Sequence, residues 1–331
     1  MSKIRVINPG MYSTIQDLGR MEFQQFGVPT AGSMDTYAHR ISNLLVGNPE
    51  NSPVLELTAF GGTYEFGETT IISITGGDMS PKRNGCETLK MWRTLVMNAG
   101  DQLSFAGARK GFRTYVSVVG GFNVPSALKS KSTYVRARLG GVEGRQLKRD
   151  DFLEYHDVKF DPLELLGRFV RAHQIPVYEN ELILKVILGP QDDDFTRKGI
   201  ADFFSNKYIV SSESDRMGYR LEGKKIEHVL SADIISDGIM KGAVQIPGHG
   251  NPIIMLSDCQ TTGGYTKIAH VISSELWKIA QLKAGDSIQF KAVDIEEAHE
   301  ILDRRSKTFE EIESTFETYR LEGYRELAKR F

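Results

Sequence analysis

Amide, carboxylate and guanidinium side chains are gathered near the start of the chain, in the segment Thr14–Arg20. Gln16, Asp17 and Arg20 lie in this segment, and glycines and a proline interrupt the residues that follow it. Such a run cannot continue as a smooth helix, because glycine and proline are the weakest helix formers. Its polarity also argues against a buried strand. We therefore predict a long ordered loop that lines a site, the alternative being a solvated connection.

Two further polar runs, Ser214–Gly223 and Gly242–Tyr265, carry the same residue types in the second half of the chain. Glutamine offers a hydrogen-bond donor and an acceptor, aspartate offers acceptors, and arginine offers a planar fork of donors. The candidate groups of the three runs, with one arginine that lies between them, are Gln16, Asp17, Arg20, Arg113, Arg216, Arg220, Gln245, Asp258 and Gln260. For each of them, the alternative is a bond that only braces its own loop.

Asp258 is the strongest single candidate, because it follows the apolar strand predicted at Ile253–Leu256 and precedes a turn rich in threonine and glycine. A strand end followed by glycine allows a ligand to approach the backbone closely. The turn contains Thr261, Gly263 and Gly264, and the N–H groups of its two glycines could form an anion-binding nest. An ordinary tight turn is the alternative.

The composition of the chain argues against several functional classes, among them nucleic-acid binding. The 331 residues carry a net charge of −2, which gives no basic field for nucleic acid. Cys86 and Cys259 are the two cysteines and have no CxxC spacing, so we expect no metal site and a reducing cytoplasm as the location. The sequence contains no GxxxxGK[ST] phosphate loop and no apolar run long enough to span a membrane.

Short β-type runs separated by glycine or proline dominate the first half, which is typical of barrels and sandwiches. Helices are predicted from Met34 or Asp35 to Val46, with Asp35 as the N-cap, and over Ser273–Gln281. The predicted strands are Lys3–Ile7, Val54–Thr58, Thr69–Thr75, Thr94–Met97, Gln102–Phe105, Thr114–Val119, Leu182–Leu188, Tyr208–Ser211, Ile253–Leu256 and Ser287–Phe290. We predict an N-terminal subdomain at residues 1–160, a linker at 161–180, a C-terminal subdomain at 181–293 and an amphipathic helix at 294–331.

Two smaller patterns refine this division. A Gly–Asp pair precedes a late strand in each half, at Gly100-Asp101 and at Gly285-Asp286, which is weak evidence for a duplication. In the tail, Leu302, Phe309 and Phe316 recur every seven residues and form a narrow apolar seam. We predict that this seam folds back on its own domain, the alternative being contact with another subunit.

The three polar runs, together with Gly111–Tyr115 and Ser130–Tyr134, resemble the biotin-dependent carboxyltransferase-like family, also described as the allophanate hydrolase subunit 2 family. The resemblance runs from about Ile4 to Phe290. It implies a mainly β fold with some α structure, made of two cyclophilin-like β-barrel subdomains plus a C-terminal helix.

Members of this family act on small amides or ureides, which explains the residue types, since an amide needs a donor facing its oxygen and an acceptor facing its nitrogen. The resemblance is closest to the 5-oxoprolinase type. It implies a complex that opens 5-oxoproline to glutamate with ATP, the ATP being bound by or shared with a partner subunit. The implied partners are a kinase-inhibitor-like chain and a deacetylase-like barrel chain, the other two components of 5-oxoprolinase, with no nucleic acid and no membrane.

Within that expectation, the catalytic candidates are Asp258, Arg216 and Arg20. The substrate-binding candidates are Gln16, Asp17, Arg113, Arg220, Gln245, Gln260, Thr261, Gly263 and Gly264. Two other functions stay open. One is a urea- or allophanate-type carboxyltransferase subunit, which would use biotin on a partner. The other is a non-enzymatic antagonist of a histidine-kinase inhibitor.

Overall fold

The structure, a computed structural model, describes residues 2–158 and 162–328, and the side chains of residues 162, 163 and 317–328 lie outside the description. The helices are α1 (Thr36–Leu45), α2 (Pro162–Leu165), α3 (Arg197–Ser205), α4 (Leu276–Ile279) and α5 (Ile295–Ala328). The first strands are β1 (Ser2–Asn8), β2 (Tyr12–Gln16), β3 (Val54–Thr58), β4 (Thr63–Phe66), β5 (Thr70–Asp78), β6 (Lys82–Arg83), β7 (Glu87–Thr88), β8 (Thr94–Met97), β9 (Gln102–Ser104), β10 (Lys110–Val118) and β11 (Phe152–Tyr155). The later strands are β12 (Glu181–Leu188), β13 (Lys207–Val210), β14 (Gly218–Glu222), β15 (Asp233–Gly238), β16 (Ala243–Gln245), β17 (Ile253–Met255), β18 (Thr262–Tyr265), β19 (Lys267–Val271) and β20 (Ser287–Ala292).

The chain divides into two compact units. The first unit comprises Met1–Gly19, Asp35–Val177 and Arg305–Phe331, and the second comprises Arg20–Met34 and Tyr178–Arg304. The change of unit after Val177 lies inside the linker predicted at 161–180. The sequence boundaries placed residues 20–34 with the first half, whereas the structure groups them with the second unit. Met34 contributes to the apolar core of that unit, which accounts for the grouping.

The first unit contains two antiparallel sheets. One has the strand order β11-β1-β4-β9-β6-β7 and the other has the order β2-β3-β10-β5-β8. Alternating apolar residues of both sheets, such as Val6, Ile72 and Val116, form a buried core. The mainly β class is confirmed, and the described strands of this unit lie in these two sheets.

The second unit contains a closed barrel in the order β12-β19-β16-β17-β14-β13-β20. The parallel pairing of β12 with β20 closes it. Leu184, Tyr208, Val244 and Ile288 fill its interior. A separate two-stranded sheet of β15 and β18, called the ribbon below, belongs to the same unit.

Two of the three predicted helix starts are confirmed by a side-chain cap. The Asp35 carboxylate accepts a hydrogen bond from the N–H of Ala38 at 2.8 Å, and α1 follows. The Asp294 carboxylate accepts from the N–H of Glu297 at 2.8 Å, and α5 follows. The helix predicted over Ser273–Gln281 is shorter, because a 3-10 turn precedes α4 and neither start has a side-chain cap.

The apolar seam of α5 packs in the first unit of this same chain. Phe309, Ile312 and Phe316 are buried, and the ring of Phe309 lies 5.1 Å from the ring of Tyr37. Leu302, the first residue of the predicted seam, is exposed. The burial of the seam makes it an internal contact rather than a free surface.

The prediction that Thr14–Arg20 forms a loop throughout is wrong for its first three residues. They complete β2, which pairs with β3 and is buried. The polar side chains of this strand can be buried because they form hydrogen bonds inside the unit. Gln16 Nε2 donates to Thr14 Oγ1 at 2.9 Å and to the carbonyl of Thr133 at 3.1 Å.

The two Gly–Asp pairs adopt the same turn. Asp101 and Asp286 each accept, at 2.9 Å, a hydrogen bond from the backbone N–H three residues earlier. Gly100 and Gly285 both have left-handed backbone angles, φ 86° and 90°, which favour glycine. The repeated turn supports the predicted structural repeat between the two units.

Candidate functional site

Asp17 follows β2 and is the centre of a buried hydrogen-bond network in the first unit. Its carboxylate accepts from the hydroxyl of Ser130 at 2.7 Å, from the hydroxyl of Ser132, and from the N–H groups of Lys131 and Gly19 at 2.6 and 2.8 Å. A carboxylate with this many short donors is held in one orientation. Asp17 therefore ties the loop after β2 to the segment that begins at Ser130.

Two other predicted residues of the first unit are also buried. The side-chain oxygen Oε1 of Gln16 has no hydrogen-bond partner among the described residues. A buried acceptor in that state is costly, so a donor that reached it would be stabilised. Arg113 lies on β10 with its guanidinium carbon 5.2 Å from the ring centre of Phe112.

A second group of buried polar residues in the same unit, a phenol and two acids, was not predicted as part of a site. The hydroxyl of Tyr115 donates to Glu56 Oε2 at 2.8 Å and accepts from the N–H of Asp35 at 2.8 Å. Burial, followed by the nearby Glu56 carboxylate, raises the pKa of Tyr115 well above its usual value. The phenol thus stays protonated and serves as a donor. An acid inside an apolar strand, as in the Val54–Thr58 segment, was the available signal.

The second unit places two predicted catalytic residues against each other. Arg216 Nε and Nη2 each lie 3.0 Å from an oxygen of Asp258, which forms a two-bond pair. Nη2 also donates to the carbonyl of Gly32 at 2.7 Å. The two side chains are only 7% and 9% exposed, so the pair is screened from water. It anchors the segment Arg20–Met34 in this unit.

The same segment has further contacts near Asp258. Thr30 Oγ1 donates to the carbonyl of Ser257 at 3.3 Å, and the N–H of Arg20 donates to the carbonyl of Thr30 at 2.8 Å. The hydroxyl of Ser257 is buried and has no partner within the described part of the chain. Burial raises the pKa of the Cys259 thiol to about 11, so this thiol is not an activated nucleophile.

The anion nest predicted at Gly263 and Gly264 does not form. Both glycines lie in β18, which pairs with β15, and Gly263 is opposite Asp237. A nest requires alternating right- and left-handed residues, and extended strand residues point successive N–H groups in opposite directions. Gly263 instead leaves space for the side chains of Ile239 and Gln245, because a Cβ at this position would lie only 2.4 Å from Ile239 and 3.1 Å from Gln245.

Lys267 was not predicted and is one of the largest fully buried side chains. It pairs with Gln245 across β19 and β16, and its ammonium donates to Asp237 at 2.9 Å. The hydrogen bond from Lys267 lowers the pKa of the Asp237 carboxyl. Gln245 itself donates to the carbonyl of Tyr265 at 3.4 Å. This cluster joins the ribbon to the barrel wall.

Three predicted residues lie at the surface of the second unit. Gln260 and Arg220 are exposed, and Thr261 is half-buried. Arg220 lines a hollow of about 220 Å³ together with His249. His249 also lines a neighbouring hollow of about 680 Å³, whose other lining residues include Lys224 and Lys225. These surface groups are accessible to a small ligand.

The structure therefore brings two pairs of predicted residues together, Arg216 with Asp258 and Gln245 with Gly263, while Gln16 and Asp17 are neighbours at the end of β2. Their convergence on one ligand stays a prediction. Within residues 2–158 and 162–328, no group of three or more His, Cys, Asp or Glu side chains is placed to hold a metal ion. No helix of that described part is long and apolar enough to cross a membrane.

The chain belongs to the carboxyltransferase domain family, subdomain A and B, whose model matches residues 26–292. It is 36% identical over 309 residues to the C subunit of 5-oxoprolinase from Escherichia coli, covering 93% of this chain and 97% of that relative. It is also 36% identical to the C subunit of 5-oxoprolinase from Haemophilus influenzae, covering 89% of this chain and 93% of the relative.

A solved structure shares the fold. The K. lactis urea amidolyase superposes with a TM-score of 0.87 at 30% identity, over 94% of this chain. This chain spans only 20% of the amidolyase chain. The same domain therefore occurs as one part of a much larger protein.

Proposed function

We propose that the chain is the C subunit of an ATP-dependent 5-oxoprolinase, which opens 5-oxoproline to L-glutamate. The observation that supports this most directly is the 36% identity to a protein of that name over 97% of its length. A match over the whole relative favours a shared role, whereas the match to the urea amidolyase covers a fifth of that chain. The proposal includes the kinase-inhibitor-like chain and the deacetylase-like barrel chain as partners, in the cytoplasm.

The chemistry of the proposed reaction explains why ATP is needed. A five-membered lactam resists water, because amide resonance makes its carbonyl carbon a poor electrophile. ATP would supply a phosphoryl group to the carbonyl oxygen and so remove that resonance. Donors held ready around the developing charge lower such a barrier. Because the glycine nest is absent, we assign no phosphate contact to Gly263 or Gly264.

The burial of the candidate residues divides them into two roles. Asp17, Arg216 and Asp258 are buried and already bonded to loops of this chain, so we assign them to positioning those loops. Gln260 and Arg220 are exposed and are the residues that we assign to substrate contact. Gln260 suits the lactam, because one amide can both donate and accept. Arg220 suits the carboxylate of 5-oxoproline.

Reconstitution tests the proposal. The purified chain is added to its two partner chains, and glutamate and ADP are measured with 5-oxoproline and ATP present. We expect activity only with all three chains. Gln260→Ala should raise KM for 5-oxoproline about tenfold with the same stability, since an amide hydrogen bond of about 1.5 kcal/mol is lost. Gln146→Ala, at an exposed position of the first unit, is the matched control. Absence of activity in every combination contradicts the proposal.

The TM-score of 0.87 to the urea amidolyase favours one second candidate, a carboxyltransferase subunit for a urea-type substrate. That function requires a biotinylated partner. Streptavidin capture from native cells separates the two possibilities, because only the second candidate should be retained with the biotinylated chain. Copurification with biotin and no glutamate formation would replace the first proposal by the second.

A further inference from the structure

The ribbon exposes more apolar surface than any folding role explains. Leu230 and Ile235 are 95% and 94% exposed, which for residues of this size means almost no contact with the rest of the chain. The other exposed large apolar residues on the ribbon or beside it are Val229, Met240 and Tyr265. Single exposed apolar residues are ordinary, whereas five of them on and beside one two-stranded sheet mark an interaction site.

The ribbon is also firmly attached to its own unit, so these side chains are not on a loose loop. An isolated two-stranded sheet is marginally stable at best. Here Ile239 is buried in a small cluster with Ala243 and Met255, and the Lys267–Asp237 ion pair adds a second attachment. The exposed residues are therefore held in place before any partner binds, which lowers the entropy cost of binding.

We propose that the ribbon is the docking surface for another chain of the complex, through an apolar patch on that partner. The inference rests on the proposed function, because a relative whose name makes it one lettered component of an enzyme implies companion chains. A heterologous partner fits this name better than a second copy of the chain does. Asp233 beside the apolar residues is exposed, so the partner patch should have basic residues at its rim.

The ribbon points to docking through side chains rather than through an added strand. β15 pairs only with β18 among the described residues, which leaves one edge open. However, its pairing is irregular between Asp233 and Asp237, and both of these residues carry a charge. Irregular pairing and charges on an edge strand are the features that prevent strand addition. Leu230 and Ile235 should then act as the main anchors.

The test compares two double variants of the full chain for binding to the partner chains by isothermal titration calorimetry. Leu230→Asp/Ile235→Asp places one charge on the ribbon, at position 235, and one just before it, at position 230. Val177→Asp/Ile183→Asp places two charges at other exposed apolar positions, which are 80% and 62% exposed, and is the matched control. We expect the ribbon variant to bind at least about 30-fold more weakly, the effect of losing one interface hot spot. The control should stay within about threefold of the original chain.

The outcomes separate the inference from the proposed function. If the unaltered chain binds neither partner, the proposed function fails and the inference with it. If the unaltered chain binds and the ribbon variant binds equally well, only the inference is overturned. It is also overturned if the chain alone forms dimers that the ribbon variant abolishes. The milder pair Leu230→Ser/Ile235→Thr gives the same readout should the aspartate variant lose its far-UV circular dichroism.

Discussion

Asp258→Asn is the substitution that best separates a structural from a chemical role for the Arg216–Asp258 pair. Asparagine keeps the shape of the side chain but removes the charge that faces the guanidinium. Both oxygens of Asp258 lie 3.0 Å from nitrogens of Arg216, and the pair is almost completely buried. The variant therefore leaves a buried guanidinium whose charge is no longer balanced at this position.

The expected cost follows from that burial. Breaking a buried ion pair by removing one partner costs about 3–5 kcal/mol. Arg216 retains its bond to the carbonyl of Gly32, so we expect a value near the lower end, about 3 kcal/mol. For a chain of 331 residues, the entropy of unfolding is about 0.7 kcal/mol/K, so each kcal/mol lowers Tm by roughly 1.5 °C and the expected decrease is roughly 4 °C. Urea unfolding followed by far-UV circular dichroism gives the free energy directly.

A double-mutant cycle completes the experiment. Arg216→Gln, Asp258→Asn and the double variant are compared, and we expect a coupling energy of at least about 2 kcal/mol because the double variant removes both charges. A decrease in Tm below about 2 °C for Asp258→Asn, or strictly additive losses, would refute the reasoning. Lost 5-oxoprolinase activity at unchanged stability would return Asp258 to the catalytic residues.

Three further substitutions test other buried groups. Asp17→Asn should lower the free energy of unfolding in urea by about 2–4 kcal/mol, because the new NH₂ group would face the hydrogen-bond donors Ser130 and Lys131, which now donate to the carboxylate. Burial lowers the pKa of His39 from 6.5 to about 4, so the unfolded chain takes up a proton at a higher pH than the folded chain does. The free energy of unfolding therefore decreases as the pH is lowered from 6.5 to about 4. From pH 8 to pH 5 this loss is about 2 kcal/mol, and His39→Gln should remove it from the pH profile. Phe309→Ala should cost about 3–5 kcal/mol and expose the C-terminal helix to limited proteolysis.

Two of these predictions have a control substitution on the same chain. Asp215→Asn, at an exposed turn, should change stability by less than about 1 kcal/mol. Leu302→Ala lies on the same helix as Phe309 but is exposed, so its cost should stay near about 0.5 kcal/mol. Equal losses for Phe309→Ala and Leu302→Ala would show that the seam does not pack as described. An unchanged pH profile in His39→Gln would show that another group titrates.

Local sequence signals were sufficient for much of the fold. The strands at Val54–Thr58 and Thr94–Met97 were predicted with the observed bounds, because runs of β-branched and apolar residues end at clear breakers. The start of α1 at Asp35 followed from capping, which depends on residues only three positions apart. The start of α5 is capped in the same way, by Asp294.

The site could not be predicted in the same detail, because its partners are distant in sequence. Asp17 is bonded to Ser130 and Arg216 to Gly32, separations of 113 and 184 residues. Those contacts also explain why polar residues are buried in β2 and why Arg20–Met34 belongs to the second unit. A lysine such as Lys267 is ordinarily a surface residue, so its burial had no sequence signal.

The chain exchanges segments between its two units. The N-terminal piece Arg20–Met34 completes the second unit, and the C-terminal piece Arg305–Phe331 completes the first. On the ribosome, the first unit must therefore wait for the segment from Arg305 onward to be synthesised before it can finish folding. Cutting the gene at the middle would yield two fragments that are each missing a part held by the other. Production of the halves in separate cells should give insoluble protein, whereas their joint production could restore the whole by complementation.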